Sequence, residues 1–387
     1  MNDGRTTKVW PLGSAEGRWK GFGPYYAMFP VDFARKVIDR YSNPGDTIID
    51  PFCGRGTSNY VAKILGRNSI GCDVNPVAWV YSKTKTDPAR QTGRLMGRVE
   101  EIWDSKIQSD SDPENEFQSL AWSKQVLAFL NSARRELNWE HSKVDWTLAG
   151  ILLVYLHGKL GGGLSNQMRQ SKSMAPNYAV RWWKQRGMCP PEIDPVKFLK
   201  GRIIWRYEKG LVLNEFSSKI HLGDARKYFR RRPAAAATLL ITSPPYMGIT
   251  DYEYDNWIRL WVLGGPAWPT RKRPQRYCNK RDYEEMIRQV FQSSKRLLTD
   301  DACIVVRTDR REFTLETTVY ALFDTWPQHD LYGKNHLVTK PTQTALFGDK
   351  SSKPGEIDLI ALPKRKKAPE GFIGLVASQG AQMGILA

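Results

Sequence analysis

The sequence predicts an α/β fold: a core built on a mainly parallel sheet, interrupted by a mostly helical insertion. Three observations predict it. Residues 46–76, DTIIDPFCGRGTSNYVAKILGRNSIGCDVNP, run strand, glycine turn, helix, strand, the order of a βαβ unit whose two strands lie parallel. From about Lys83 to Lys219 the apolar spacing becomes helical, as in SLAWSKQVLAFLNSARREL and DWTLAGILLVYLHGKL. Strand runs then return in SKIHL, ATLLIT, CIVVRT and DLIAL, with helical spacing between them.

Each element has a local cause. TIID is a short β-rich run, GRG supplies the turn, and TSNYVAKILG has helical periodicity closed by a glycine. NSIGCD is a second strand ending on an acid. LMGRVEEIWDSKI opens the helical region; MRQSKSMAPNYAVRWWKQRGMCPPEIDP within it is basic, aromatic and broken by prolines. SKIHLGDARKYF is a strand ending near Asp224, followed by the strand ATLLIT. YEEMIRQVFQSSKRLLTDDACIVVRT reads as helix then strand, and TVYALFDTW, LYGKNHLVTK and GEIDLIAL as a last helix and two strands. The expected organisation is residues 1–82 as the first half of the core and 83–217 as the insertion. Residues 218–363 then form the second half, and 364–387 a loosely ordered basic and glycine-rich tail.

Composition narrows the function classes. The 387 residues carry a net charge of +18 and a pI near 9.6, a balance that favours polyanionic partners, nucleic acid first among them. Five scattered cysteines form no CxxC pair and have no histidines at ligand spacing, which argues against a zinc site or a disulfide framework and for a reducing compartment. No metal is expected. The N-terminus has no signal-peptide apolar region, and LAGILLVYLHG is too short to cross a bilayer and reads as a buried helix. A cytoplasmic protein without a membrane partner is expected.

Two short stretches carry chemistry. In DPFCGRGT, Gly54 and Gly56 stand between a strand and a helix, where glycine lets the backbone turn sharply and approach a ligand. Asp73 ends the next strand, where a carboxylate can accept from both ribose hydroxyls of a nucleotide-like ligand. The pattern is not GxGxxG, so a dinucleotide is the weaker reading. In ATLLITSPPY, Pro244 and Pro245 end the strand and push Ser243 into an extended conformation, leaving a stiff peptide that holds Ser243 and Tyr246.

Together, DPFCGRGT and TSPPY resemble the DPFxGxGT cofactor loop and [DNS]PPY catalytic loop of the S-adenosylmethionine-dependent amino-methyltransferases of DNA. The resemblance covers roughly residues 20–82 and 218–362. It implies a Rossmann-like methyltransferase core with a seven-stranded, mainly parallel sheet. It places Asp50, Phe52, Gly54, Gly56 and Thr57 at the methionine end of the cofactor, Asp73 on the ribose and Asp224 facing the adenine. GPYYAMFP resembles the family's N-terminal cofactor segment, which adds Tyr25, Tyr26 and Phe29; a lid packed on the sheet is the bland alternative for those aromatics.

The implied catalytic residues are Ser243, Pro244, Pro245 and Tyr246. An exocyclic base amine is a poor nucleophile because its lone pair is delocalised. The Ser243 hydroxyl and Pro244 carbonyl can accept its two hydrogens, and Tyr246 can stack on the base once it has left the helix. Asp251, Tyr252 and Trp257 follow near the pocket, as base contacts or as a helix cap and core aromatics. In the family, serine before Pro-Pro-Tyr is typical of N4-cytosine methylation and Asp or Asn of N6-adenine methylation, so cytosine in double-stranded DNA is the expected target. The alternatives are an N6-adenine enzyme, an RNA amino-methyltransferase and a non-catalytic DNA-binding protein. A partner restriction endonuclease is a common setting for the resemblance.

The insertion falls before HLGDAR rather than between it and the catalytic loop, which departs from the class it most resembles. It remains the best candidate for reading DNA. Arg169, Lys172, Arg181 and Lys184 interleave with Trp182 and Trp183, and Arg271, Lys272 and Arg273 form a second basic group; solvated loops would explain either group alone. Cys-Pro-Pro at 189–191 has no preceding strand and reads as a structural turn.

Overall fold

The computed structural model describes residues 10–25, 30–232, 236–248, 251–269, 279–336 and 355–376. Helices α1 (Ala15–Lys20) and α2 (Val31–Tyr41) lead into β1 (Thr47–Asp50), α3 (Thr57–Ile64), β2 (Asn68–Asp73) and α4 (Pro76–Thr86). A helical region follows, with α5 (Thr92–Asp104), α6 (Glu116–Ala121), α7 (Lys124–Glu136), α8 (Lys143–Tyr155), α9 (Pro176–Lys184) and α10 (Pro195–Tyr207). The core resumes with β3 (Ser218–Leu222), α11 (Ala225–Arg231) and β4 (Ala237–Thr242). Next come α12 (Tyr252–Asp255), α13 (Trp257–Val262), α14 (Lys280–Lys295), β5 (Leu298–Asp309) and α15 (Glu312–Thr325). β6 (His329–His336), β7 (Glu356–Pro363) and β8 (Ile373–Leu375) complete the described elements.

The strands form one sheet in the order β3-β2-β1-β4-β5-β7-β6-β8. β3, β2, β1, β4 and β5 pair in parallel, whereas β5–β7, β7–β6 and β6–β8 are antiparallel. The expected seven strands are therefore eight, and the sheet is mixed. The additional strand comes from the segment read as a loose tail: Ile373–Leu375 pairs with Leu331–Gly333. Three residues are too few to display the alternation by which a strand is read from sequence.

The strand order reverses between β1 and β4, since the chain winds outward from β1 through β2 and β3 before returning to β4. Such a switch point opens a crevice at the carboxyl ends of the two strands. The glycine turn follows β1 and Ser-Pro-Pro-Tyr follows β4, so the topology sets both stretches at one crevice.

The helical region shares its core with the elements around it. Trp19, Phe22 and Tyr81 from the N-terminal part pack in one apolar cluster with Phe117, Trp122, Phe129 and Trp183 and with Trp257 and Trp261 beyond β4. The boundary expected at residue 82 falls inside α4, which packs against α8; Thr84 Oγ1 donates to the Trp146 carbonyl at 2.8 Å. Along α8 every residue from Asp145 to Tyr155 is buried, as expected for a helix apolar all round. No helix among the described residues is long and apolar enough to cross a membrane.

Candidate active site

The glycine turn after β1 is held from three sides. Asp50, 1% exposed, accepts from the Phe52 amide at 3.1 Å and from the Thr242 hydroxyl at 2.7 Å; its other oxygen accepts from Ser58 Oγ. Ser82 Oγ donates to the Gly54 carbonyl at 2.7 Å. The Gly54 amide donates to Asp73 Oδ2 at 2.9 Å, and Asn75 N to Asp73 Oδ1 at the same distance. Gly54 and Gly56 both have left-handed φ, 51° and 71°, which favours glycine. Their surroundings differ. A Cβ on Gly56 would stand 2.6 Å from Ser82 Oγ, whereas one on Gly54 would meet nothing within 4 Å. Open space lies over the turn at Gly54.

Burial raises the pKa of Asp50 to about 6, against the hydrogen bonds from Ser58 and Thr242. Burial likewise raises Asp73 to about 6, opposed by the amides of Asn75 and Gly54. Each Asp73 oxygen receives one backbone N–H and keeps capacity for a further donor.

Tyr25, 3% exposed, stacks on Tyr252 with ring centroids 5.7 Å apart and planes 12° apart. Asn75 Nδ2 donates to the Tyr252 carbonyl at 3.4 Å, so the pair is tied to the end of β2. Arg55 reaches back to the carbonyls of Gly21 and Gly23 at 3.3 and 3.0 Å, strapping the N-terminal segment to the turn. Tyr26 and Phe29 lie outside the described residues. Phe52 packs against the sheet cluster that contains Ile49 and Cys72. Thr57 is buried at the start of α3, and its hydroxyl has no hydrogen-bond partner among the described residues. Asp224 caps α11 through the Arg226 amide at 2.9 Å and pairs with the Arg226 guanidinium at 2.6 Å. Its neighbour Gly223 donates to the Asp73 carbonyl at 2.8 Å, bringing the β2 and β3 loops together.

The peptide after β4 is also anchored. Pro244 and Pro245 are buried and Ser243 is half-buried. Tyr283 Oη of α14 donates to the Pro245 carbonyl at 3.0 Å, while the Pro244 carbonyl receives no hydrogen bond among the described residues. Tyr246 Oη donates to Glu356 Oε1 at 3.1 Å. Burial, reinforced by the charge of Glu356, pushes the Tyr246 phenol well above its ordinary pKa. Behind Glu356, Arg307 forms a buried pair with Asp358 at 2.6 Å and its guanidinium lies 3.8 Å above the Phe33 ring. Sequence reasoning missed Tyr283, Glu356 and Arg307. No local pattern marks them, because Glu356 meets Tyr246 from 110 positions away.

The residues expected to contact DNA divide. Trp183 is fully buried against Phe117, and its Nε1 donates to the Gln167 carbonyl at 2.9 Å. This corrects its reading as a stacking residue: it is the core anchor of α9. Trp182 is half-buried, with the Arg186 guanidinium 4.4 Å above its ring. Lys172 pairs with Asp255 at 2.5 Å and Lys184 with Glu116. Arg169 and Arg181 are exposed. Arg271, Lys272 and Arg273 lie outside the described residues. Asp251 caps α12 by accepting from Tyr254 N at 3.0 Å, and Trp257 is buried, donating to the Met174 carbonyl at 2.9 Å. Cys189 is exposed and outside any element. Among the described residues no group of His, Cys, Asp or Glu could hold a metal ion.

Residues 1–83 match a family model described as DNA methylase. The chain is 52% identical over 46 residues to the type II methyltransferase M1.MboII of Moraxella bovis, 12% of this chain and 18% of that protein. It is 38% identical over 93 residues to the type II methyltransferase M2.DpnII of Streptococcus pneumoniae, 24% of this chain and 35% of that protein. Among solved structures it resembles the rRNA methyltransferase aviRa from Streptomyces viridochromogenes at 14% identity and a TM-score of 0.34, over 89% of each chain. The curated matches thus span a minor part of each relative, and the structural likeness is too distant to bear on function.

Proposed function

We propose that the protein is an S-adenosylmethionine-dependent DNA amino-methyltransferase acting on N4 of a cytosine flipped out of duplex DNA. The observation that carries this reading is the buried Asp50–Thr242 hydrogen bond, which sets the DPFCGRGT turn and the Ser-Pro-Pro-Tyr peptide side by side at the sheet's switch point. The match of residues 1–83 to a DNA methylase model supports it, as does the net charge of +18.

The residues suit the cofactor. Gly54 leaves open space above the turn, the Thr57 hydroxyl is buried beside it without a partner among the described residues, and Asp73 offers carboxylate lone pairs at the strand end. Gly54, Gly56, Thr57 and the Asp50-braced turn would hold the methionine end, Asp73 the ribose hydroxyls, and Asp224 and Tyr25 the region next to them. S-Adenosylmethionine supplies an electrophilic methyl group when bound.

On the other side of the crevice, Ser243 Oγ and the Pro244 carbonyl accept the two hydrogens of the base amine. This localises the nitrogen lone pair and fixes its direction. The ring of Tyr246, held through Glu356, stacks on the flipped base. Serine at position 243 favours cytosine over adenine. Type II methyltransferases among the similar proteins favour a restriction-modification setting with a cognate endonuclease.

Nucleoside mass spectrometry tests the proposal: the protein is incubated with S-adenosylmethionine and unmethylated plasmid DNA, and the DNA is digested. N4-methylcytosine is the expected product. N6-methyladenine would overturn the base assignment alone, and neither product the DNA assignment.

A further inference from the structure

We infer that the outward face of α9, carrying Asn177, Tyr178 and Arg181, is a duplex-DNA contact surface that sets target choice. The inference rests on the DNA methyltransferase reading above. Its first ground is the way the helix is docked. Pro176, Ala179 and Trp183 are buried against the helical core, with Trp183 fixed by its bond to the Gln167 carbonyl. Every third or fourth residue is thereby committed inward, and Asn177, Tyr178 and Arg181 are exposed on the opposite side. Tyr178 is 49% exposed.

The second ground is position. The segment leading into α9 is bonded to the residues that follow the Ser-Pro-Pro-Tyr peptide. Ser173 N donates to the Asp255 carbonyl at 2.8 Å, Lys172 pairs with the Asp255 carboxylate at 2.5 Å, and Trp257 Nε1 donates to the Met174 carbonyl at 2.9 Å. α9 is therefore mounted on the same short helices that continue the catalytic loop. A base held at Ser243 and its neighbours in the duplex would be read from one rigid assembly.

The third ground is chemistry. Asparagine and arginine are the side chains that pair with adenine and guanine edges in two-point contacts, and tyrosine can wedge or stack. Arg181 has no ion-pair partner among the described residues, in contrast with Lys172 and Lys184, whose charges are already met by Asp255 and Glu116. A polyanion is the occupant that the excess charge of the chain fits.

The test uses the full chain with Tyr178→Ala, Arg181→Ala and Arg181→Lys. Cofactor affinity is measured by calorimetry, duplex affinity by anisotropy of a labelled random-sequence duplex over a salt series, and methylated positions by sequencing plasmid DNA. Each alanine variant is expected to keep wild-type cofactor affinity and to lose roughly tenfold or more in plasmid methylation. If Arg181 reads a base edge, Arg181→Ala relaxes the set of methylated sites. If it meets a phosphate instead, the salt slope falls by about one and Arg181→Lys restores binding, which overturns the role of Arg181 in target choice. Variants with unchanged duplex affinity, rate and sites, beside an active wild type, overturn the inference. A wild type that modifies only RNA overturns the duplex occupant. A wild type that binds the cofactor but methylates no nucleic acid sinks the function reading instead.

Discussion

The Thr242 hydroxyl donates to the Asp50 carboxylate at 2.7 Å, joining the last residue of β4 to the last residue of β1 in the interior of the sheet. Asp50 also braces its own turn through Phe52 and Ser58. One carboxylate thus sets the glycine turn and the Ser-Pro-Pro-Tyr peptide relative to each other, the spacing on which the proposed in-line methyl transfer would depend. Thr242→Val keeps the shape and removes the donor. It is expected to cost about 1–3 kcal/mol of stability and to lower turnover more than cofactor affinity. Urea unfolding, calorimetry and single-turnover methylation check this, and wild-type turnover would remove the bond from the mechanism.

The proposed contact of Asp73 with the ribose would make cofactor binding depend on pH. Its pKa is raised to about 6, chiefly by burial, and ribose hydroxyls are best accepted by the ionised carboxylate. Affinity for S-adenosylmethionine should therefore rise as pH rises through about 6 and level off above it. Asp73→Asn should bind weakly and without that rise. Calorimetry across this range decides: a flat wild-type profile would take Asp73 off the ribose.

The sign for stability is the reverse. Asp50 has a folded pKa of about 6, above the ordinary carboxylate value of 3.8, so burial favours the protonated form in the folded state. Its contribution is fully present below the unfolded pKa and is lost as pH rises through about 6, amounting to about 3 kcal/mol for a shift of about two units. Asp50→Asn should flatten that part of the pH–stability curve. Equal slopes for wild type and variant in urea titrations would contradict the raised pKa.

How much of this was legible in the sequence follows from how local each feature is. Gly54, Gly56 and Asp73 were readable because strand, turn, helix and strand stand in one run of chain and the acid ends the second strand. Ser243 and the prolines were readable because an apolar run stops on them. Tyr283, Glu356 and Arg307 were not: Tyr283 and Glu356 reach the same peptide from α14 and β7, Arg307 stands behind Glu356 on β5, paired with Asp358, and none carries a mark of its own. Trp183 was misread because alternation of aromatic and basic residues does not say which helical face is covered; packing against Phe117 decides it. The eighth strand was hidden by its three-residue length.

The two turn glycines should behave differently. Both have left-handed φ, so alanine at either costs roughly 1–2 kcal/mol. At Gly56 the new methyl also meets Ser82 Oγ and Cβ, at 2.6 and 2.9 Å, adding overpacking of about 1–3 kcal/mol. At Gly54 it enters open space, where the cofactor is proposed to lie. Gly56→Ala is expected to lower the melting temperature more, and Gly54→Ala to lose more cofactor affinity for its stability change. Parallel losses in both variants would contradict the assignment of the space above Gly54.

Ser243 carries the most direct chemical prediction. Its hydroxyl is proposed to accept a hydrogen of the base amine, a role that matters as charge builds on nitrogen and not when the cofactor binds. Ser243→Ala should therefore keep wild-type affinity for S-adenosylmethionine and lower turnover by roughly 10²–10³-fold, the scale seen when one preorganised polar partner of a transition state is removed. Tyr246→Phe keeps the stacking ring and removes the hydroxyl that meets both Glu356 and Ser243, so its loss should be smaller than that of Ser243→Ala and at least as large as that of Glu356→Ala. The double variant should then lose little beyond Tyr246→Phe, because that variant already lacks the contact with Glu356. Single-turnover rates with calorimetry on each variant separate these outcomes. Full turnover in Ser243→Ala would take Ser243 out of the proposed mechanism, and additive losses at Tyr246 and Glu356 would show that the two side chains act apart.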